Sequence, residues 1–328
     1  MANVSGGLLA AETCRAGALG FLAAGHLASL EELNREIFTH RTHFPDGPLC
    51  IGFIGHSSMK DAAAWERLER VFESHQPDVV QFFAPSVMIQ ESTMKTNVEL
   101  AHSYGIKVMA QVGSVSEARH ALSAGVDAII SQGTESGGHG LRRTLGNGTL
   151  ALSARIVSIS GTTPVLAAGG IVDGRGLVAA LALGCDGVVL GTRLWASKES
   201  LGHFSFKDCL IAADSGDEVI RSTCIDQIFN RYSPTPWPMP YDSVGMLRNQ
   251  TSLRWDGKAA DLAAAMDEDD RLAAEYRSAV IDGDSNIAAV LCGEGVGDIQ
   301  EIEHVKDIIA KIDQNAREII AAMPNLLQ

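Results

Sequence analysis

From residue 1 to about residue 195, short apolar runs alternate with longer alanine- and leucine-rich stretches of helical period, the signature of repeated strand–helix units. Strands are predicted at 18–23 (ALGFLA), 49–54 (LCIGFI), 78–83 (DVVQFF), 107–112 (KVMAQV), 127–131 (DAIIS), 164–168 (PVLAA) and 187–191 (GVVLG). The runs are apolar at successive positions rather than alternate ones. Both faces of each strand are therefore predicted to be covered, as in a parallel sheet or barrel. The stretch DGRGLVAALALG shows the intervening helix: Asp173 can cap its start, Leu177, Ala180, Leu181 and Ala182 give it an apolar face, and Gly184 can end it. Gly125 has the same terminating place after EARHALSA.

The repeat is lost after about residue 197. A helix is predicted near 205–214, then the run VIRSTCIDQIFN, the proline-rich SPTPWPMPYDSVG, and helical stretches near 258–280 and 299–323 separated by CGEGVGD. Residues 1–197 are expected to form the barrel and 198–328 a mainly helical lobe over its mouth. Pro234, Pro236, Pro238 and Pro240 predict a stiff connector. The acidic run DEDD at 267–270 is expected in the first turn of the helix that follows it.

Charge narrows the partners. Lys plus Arg is 26 against Asp plus Glu 40, a net charge of -14, and such a field repels nucleic acid and anionic membranes. Six scattered cysteines with no CxxC pair predict a reducing, cytoplasmic setting. The opening segment lacks the basic region of a signal peptide, and no stretch is long and apolar enough to span a bilayer. No HExxH, EF-hand loop, GxSxG elbow or P-loop lysine motif occurs, which removes the usual signals for metal hydrolysis, serine acyl transfer and NTP cleavage. His40 and His43, at the end of a charged helix, are expected as a surface pair and not as metal ligands.

In a (β/α) barrel the chemistry sits where the strands end. Gly169 and Gly170 follow one strand, and Gly191 and Thr192 follow the next. Together they match the phosphate-binding position of such barrels, offering backbone N–H groups and a hydroxyl to an anion. In SQGTESGGHG (131–140) the glycines strip away side chains around one imidazole, so backbone can approach a flat ligand. His139 is thus the candidate general base, since a neutral imidazole is available near neutral pH. GEGVG at 293–297 reads equally as a bare turn or as a lid over the ligand.

The segments QGTESGGHG, AAGGIVDGRGLVAALALG, GTRLWASKES, YDSVGMLRNQ and GEGVG closely resemble the nitronate monooxygenases, formerly called 2-nitropropane dioxygenases, in particular their fungal-type branch. The resemblance runs over nearly the whole chain. It implies a TIM (β/α)8-type barrel that binds FMN without a covalent bond. Gly169, Gly170, Gly191 and Thr192 would hold the phosphate, Gln111 and Gln132 would contact the flavin or its ribityl chain, and Gly137 and Gly138 would make room for it. His139 falls on the family's catalytic histidine. The implied reaction is oxidative denitrification of an alkyl nitronate, or of a nitroalkane once His139 has removed its α-proton, with O2 giving a carbonyl compound and nitrite.

The family's first strand ends in a Pro-Met dipeptide beside the flavin. Here Met1 falls on that methionine, with Ala2 next to it, so the first barrel strand is expected to be missing. A parallel barrel short of one strand has two unpaired edges and a core open to water, which invites association into a homo-oligomer through the gap. Two other readings stand beside the monooxygenase. One is an FMN-dependent NAD(P)H:quinone or enoyl-thioester reductase of the same fold; the other is a non-catalytic barrel remnant.

Overall fold

The structure is a computed structural model that describes residues 1, 3–25, 29–55, 61–83, 89–90, 95–233 and 236–323. Ala2 and Pro234, singled out above, lie outside the described residues. The strands are, in chain order, β1 (Leu22–Ala23), β2 (Cys50–Ile54), β3 (Val79–Phe83), β4 (Ile89–Gln90), β5 (Lys95–Thr96), β6 (Lys107–Val112), β7 (Ala128–Gln132), β8 (Gly138–Gly140), β9 (Val165–Ala168), β10 (Gly187–Val189), β11 (Val219–Ser222) and β12 (Ser243–Leu247).

Seven of them form one parallel sheet in the order β1-β2-β3-β6-β7-β9-β10, each pairing with the next in sequence. Phe82 lies opposite Ala110 and Ile129 opposite Val165. Every predicted barrel strand is present, and the curled sheet with helices between its strands is of the TIM-barrel type. Only the first strand shrinks markedly, because the Ala18 N–H turns back to the Thr13 carbonyl and Gly20 packs against the Ala10 carbonyl. Successive residues such as Cys50 and Ile51, or Ile129 and Ile130, are both buried, so both faces of the sheet are covered as the continuous apolar runs require. Large side chains such as Leu49, Ile51, Phe72 and Phe82 are fully buried, each worth about 1.5–3 kcal/mol relative to exposure.

Local signals set the helix ends. Asp173 caps Gly174–Ala182 by accepting the N–H of Arg175 and of Gly176. Gly125 and Gly184 take positive φ angles of 82° and 89° just past their helices, where a side chain would be strained.

Among the described residues β1 and β10 are the two unpaired edges of the sheet. The helical ring nevertheless continues across this open side. Helix Val305–Ala322 packs on both Gly174–Ala182 and Gly7–Arg15, and Leu9, Leu194, Val305, Ile308 and Ile312 form an apolar cluster there. The edge is felt in β10, half-buried along its length, whereas Val80–Phe82 and Ile129–Gln132 are buried.

The C-terminal part adds a three-stranded antiparallel sheet in the order β11-β12-β8, with Val244 opposite His139. A strand of this sheet is thus the histidine loop itself. The helix expected over 258–280 divides into Ala259–Glu268 and Arg271–Asp282, because the Asp269 carboxylate accepts the Arg271 N–H and restarts the helix. DEDD therefore closes one helix and opens the next. The last helix begins at Val305 rather than near 299, since Glu303 is held in a parallel bridge with Ser197. No helix among the described residues is long and apolar enough to cross a membrane.

The expected surface pair His40 and His43 is corrected. His43 is exposed and lies 3.6 Å from Glu12, but His40 is fully buried. It completes the apolar stripe of Leu33 and Ile37, the face that Leu30–His43 turns toward helix Gly7–Arg15. Gly7 allows that approach, since a Cβ there would lie 2.0 Å from the Glu36 carbonyl oxygen.

Candidate active site

The loop after β7 is held by the pairing of β8 with β12 and by the side chains of Gln132, Glu135 and Arg221. Gln132 Nε2 donates to Ser136 Oγ at 3.0 Å and to the His139 carbonyl at 2.8 Å. From β11, the Arg221 guanidinium donates to the carbonyls of Ser136 (2.5 Å), Gly138 (3.2 Å) and Ser243 (3.2 Å). Burial pushes Arg221 down to about 10, with Arg143 adding to the fall and Glu294 opposing it. A cation so costly to bury is retained where several carbonyls need one planar donor. Gly138 takes φ +65° with open space where a side chain would be, while the missing Cβ of Gly137 faces the backbone of Cys292 and Gly293.

His139 is thereby presented at the mouth. Its Nε2 lies 2.8 Å from Asp226 Oδ1, and the imidazole is 20% exposed while the carboxylate is only 3% exposed. A carboxylate only accepts, so Asp226 selects the tautomer with the proton on Nε2 and leaves the lone pair on Nδ1. Among the described residues no group bonds Nδ1. The indole of Trp237 stacks on the imidazole face, with ring centroids 3.6 Å apart and planes 15° from parallel.

Asp226 was not singled out in the sequence. It comes from helix Cys224–Asn230, within the run VIRSTCIDQIFN, and only the pairing of β8 with β12 brings that helix to the histidine. Trp237 was quoted only as part of a connector. Gln81 is a further addition: it donates to Gln111 Oε1 at the ends of β3 and β6. Gln132 Oε1 is buried without a partner among the described residues.

The four residues expected at the phosphate sit on adjacent strand ends, after β9 and β10, which pair in register. Gly169 and Gly170 take φ +120° and +70°, and a Cβ on Gly191 would meet nothing within 4 Å. Among the described residues the N–H groups of Gly170 and Gly191 have no acceptor. Free amides beside open space fit an anion such as a phosphate. Thr192 Oγ1 accepts the Gly293 N–H at 3.0 Å, and the Glu294 N–H donates to the Glu135 carbonyl. The GEGVG segment therefore lies across the histidine loop and the phosphate loops at once. Met1 is exposed, and its carbonyl accepts the N–H groups of Val4 and Ser5.

An open parallel barrel whose strand ends gather an imidazole–carboxylate pair and a glycine cradle has the architecture of a TIM-barrel enzyme. The profile of the nitronate monooxygenase family matches residues 1–315, and the chain belongs to that family of flavoenzymes. It is 30% identical to a nitronate monooxygenase of Neurospora crassa over 97% of this chain and 87% of that protein. Among solved structures, FabK from Thermotoga maritima superposes with a TM-score of 0.76 at 28% identity, over 99% of this chain and 93% of that one. A nitroalkane oxidase from Streptomyces ansochromogenes shares the fold, with a TM-score of 0.77 at 23% identity over 98% and 95%.

Proposed function

We propose that this protein is an FMN-dependent enzyme that converts alkyl nitronates, and nitroalkanes after proton removal, to carbonyl compounds and nitrite with O2. The observation that carries the reading is the Asp226–His139 pair, which leaves one imidazole nitrogen free at the strand ends. His139 Nδ1 takes the α-proton of a neutral nitroalkane, and the Asp226 carboxylate offsets the charge that the imidazole gains. A preformed nitronate needs no base. Gln132 Oε1, buried and unpaired among the described residues, is available to orient a bound donor. Phe83, Trp237, Tyr241 and Leu141 pack into an apolar wall that limits water beside the imidazole.

Gly170, Gly191 and Thr192 would hold the single phosphate of a mononucleotide, and Gln111 and Gln132 would contact the rest of it. Bound FMN would supply the electron acceptor and the route of those electrons to oxygen. Six unpaired cysteines suit a reducing cytoplasm.

The test is to load the purified chain with FMN and mix it without oxygen with an alkyl nitronate. Bleaching of the flavin without NAD(P)H, followed by nitrite release when air is admitted, is the expected result. An FMN-dependent NAD(P)H reductase of the same fold is the second reading. Bleaching by NAD(P)H, with no response to nitronate, would replace the first by the second.

A further inference from the structure

We propose that Trp237 is the positioning residue of the base, holding the His139 ring so that its Nδ1 edge alone is offered to substrate. This rests on the function proposed above and deepens it. A hydrogen bond at Nε2 holds an imidazole at one point, but the ring can still librate about its Cβ–Cγ bond and swing Nδ1 away. A flat contact removes that freedom. The indole of Trp237 supplies it at 3.6 Å and 15°.

The indole is in turn fixed by the helix that carries the carboxylate. Asp226 and Asn230 stand four residues apart on Cys224–Asn230 and so share one of its faces. Asp226 accepts from the imidazole, while Asn230 grips the Trp237 main chain at two points. Its Oδ1 accepts the Trp237 N–H at 2.9 Å, and its Nδ2 donates to the Trp237 carbonyl at 3.4 Å. One helical face thus sets both the edge and the plane of the catalytic ring. The indole also meets Phe83, with centroids 5.9 Å apart, and Phe83 packs edge-on against Tyr241 at 5.3 Å. The Tyr241 hydroxyl donates to Glu117, which anchors this stack to helix Val115–Ser123.

Proton abstraction depends on the aim of Nδ1; oxidation of a ready-made nitronate does not. Losing the stack should therefore lower the ratio of kcat/KM for a neutral nitroalkane to kcat/KM for its nitronate, a change that general loosening of the fold would not produce.

The experiment compares the FMN-loaded wild type with Trp237→Leu, Trp237→Phe and Asn230→Ala, using nitroethane and ethylnitronate and following nitrite. The ratio is expected to fall about tenfold in Trp237→Leu and several-fold in Asn230→Ala, with Trp237→Phe within about threefold of wild type. A second readout needs no turnover: the 15N spectrum of the His139 imidazole, assigned with His139→Gln. It is expected to show one Nε2–H tautomer in the wild type and averaged signals in Trp237→Leu and Asn230→Ala. An unchanged ratio together with an unchanged tautomer in both variants overturns the proposal. If Trp237→Leu does not fold, Asn230→Ala decides alone. If the wild type releases no nitrite from either compound, the proposed function fails, and the imidazole spectrum still decides whether Trp237 positions the ring.

Discussion

Asp226 Oδ1 lies 2.8 Å from His139 Nε2 although 87 residues separate them in the chain. The contact fixes which imidazole nitrogen is basic. In Asp226→Asn the amide can turn its NH2 toward the ring and favour the opposite tautomer, making Nδ1 a donor that cannot take a proton. Turnover of a neutral nitroalkane is expected to fall about 10²–10³-fold, with a much smaller loss on the nitronate. Initial rates of nitrite release on both substrates check this. Equal losses would assign Asp226 to the fold rather than to the base.

Gly191 and Gly137 predict opposite outcomes for the same change. At Gly191 φ is -109° and an added Cβ meets nothing within 4 Å. Gly191→Ala should leave the unfolding free energy from urea melts within about 0.5 kcal/mol of wild type. Its methyl group would enter the space expected for the phosphate, so FMN affinity should fall about tenfold or more. At Gly137 a Cβ would lie 2.4 Å from the Cys292 carbonyl carbon. Gly137→Ala is expected to destabilise the fold by about 1–3 kcal/mol through overpacking. Flavin titration and urea melts on both variants separate the two roles. Loss of stability in Gly191→Ala would show that the cradle is structural.

What was legible in the sequence follows the range of the interactions involved. β2, β3, β7 and β9 are buried on both faces over most of their length, so their runs needed no knowledge of a partner, and Asp173 and Gly184 act within one turn of the helix they bound. His139 was visible because its glycines are its neighbours. Asp226 and Trp237 were not, since they reach the imidazole only through the pairing of β8 with β12. No local spacing encodes that pairing. His40 was within reach: it follows Leu33 and Ile37 at intervals of four and three, which marks the buried stripe of a helix. The charged residues around it masked that signal.

Arg221 braces the histidine loop through the carbonyls of Ser136 and Gly138 and ties it to β12 at the Ser243 carbonyl. Lysine in its place offers a single ammonium without the planar fork, so Arg221→Lys should cost about 1–3 kcal/mol in unfolding free energy and speed amide exchange over residues 136–140. The sign with pH follows from the lowered value near 10. The burial cost of the cation is fully present below that pH and is relieved only as pH rises through it toward the unfolded value. From pH 6 to 9 the wild-type protein should therefore show no slope from this group. Unchanged exchange in the variant would mean that Gln132 and the pairing of β8 with β12 hold the loop without Arg221.

His40 gives the protein a weakness toward acid. Its ring nitrogens are buried with no partner among the described residues, and burial, reinforced by Arg41 and opposed by Asp78, keeps its pKa below the ordinary value. The unfolded chain takes up a proton near pH 6.5 that the folded chain refuses, so stability is retained above about 6.5 and falls as pH drops below it, by up to about 1.4 kcal/mol per unit. His40→Leu fills the same apolar stripe without a titrating or unpaired group. At pH 7.5 the variant should be at least as stable as wild type, because an unsatisfied buried polar group costs about 1–3 kcal/mol. At pH 5 its advantage should be larger, since only the wild type is then opposed by protonation of the unfolded chain. Urea unfolding of both proteins at the two pH values measures the difference, in which the other titrating groups cancel. An advantage equal at both values would show that the folded protein accepts a proton on His40, and that a polar partner reaches the ring.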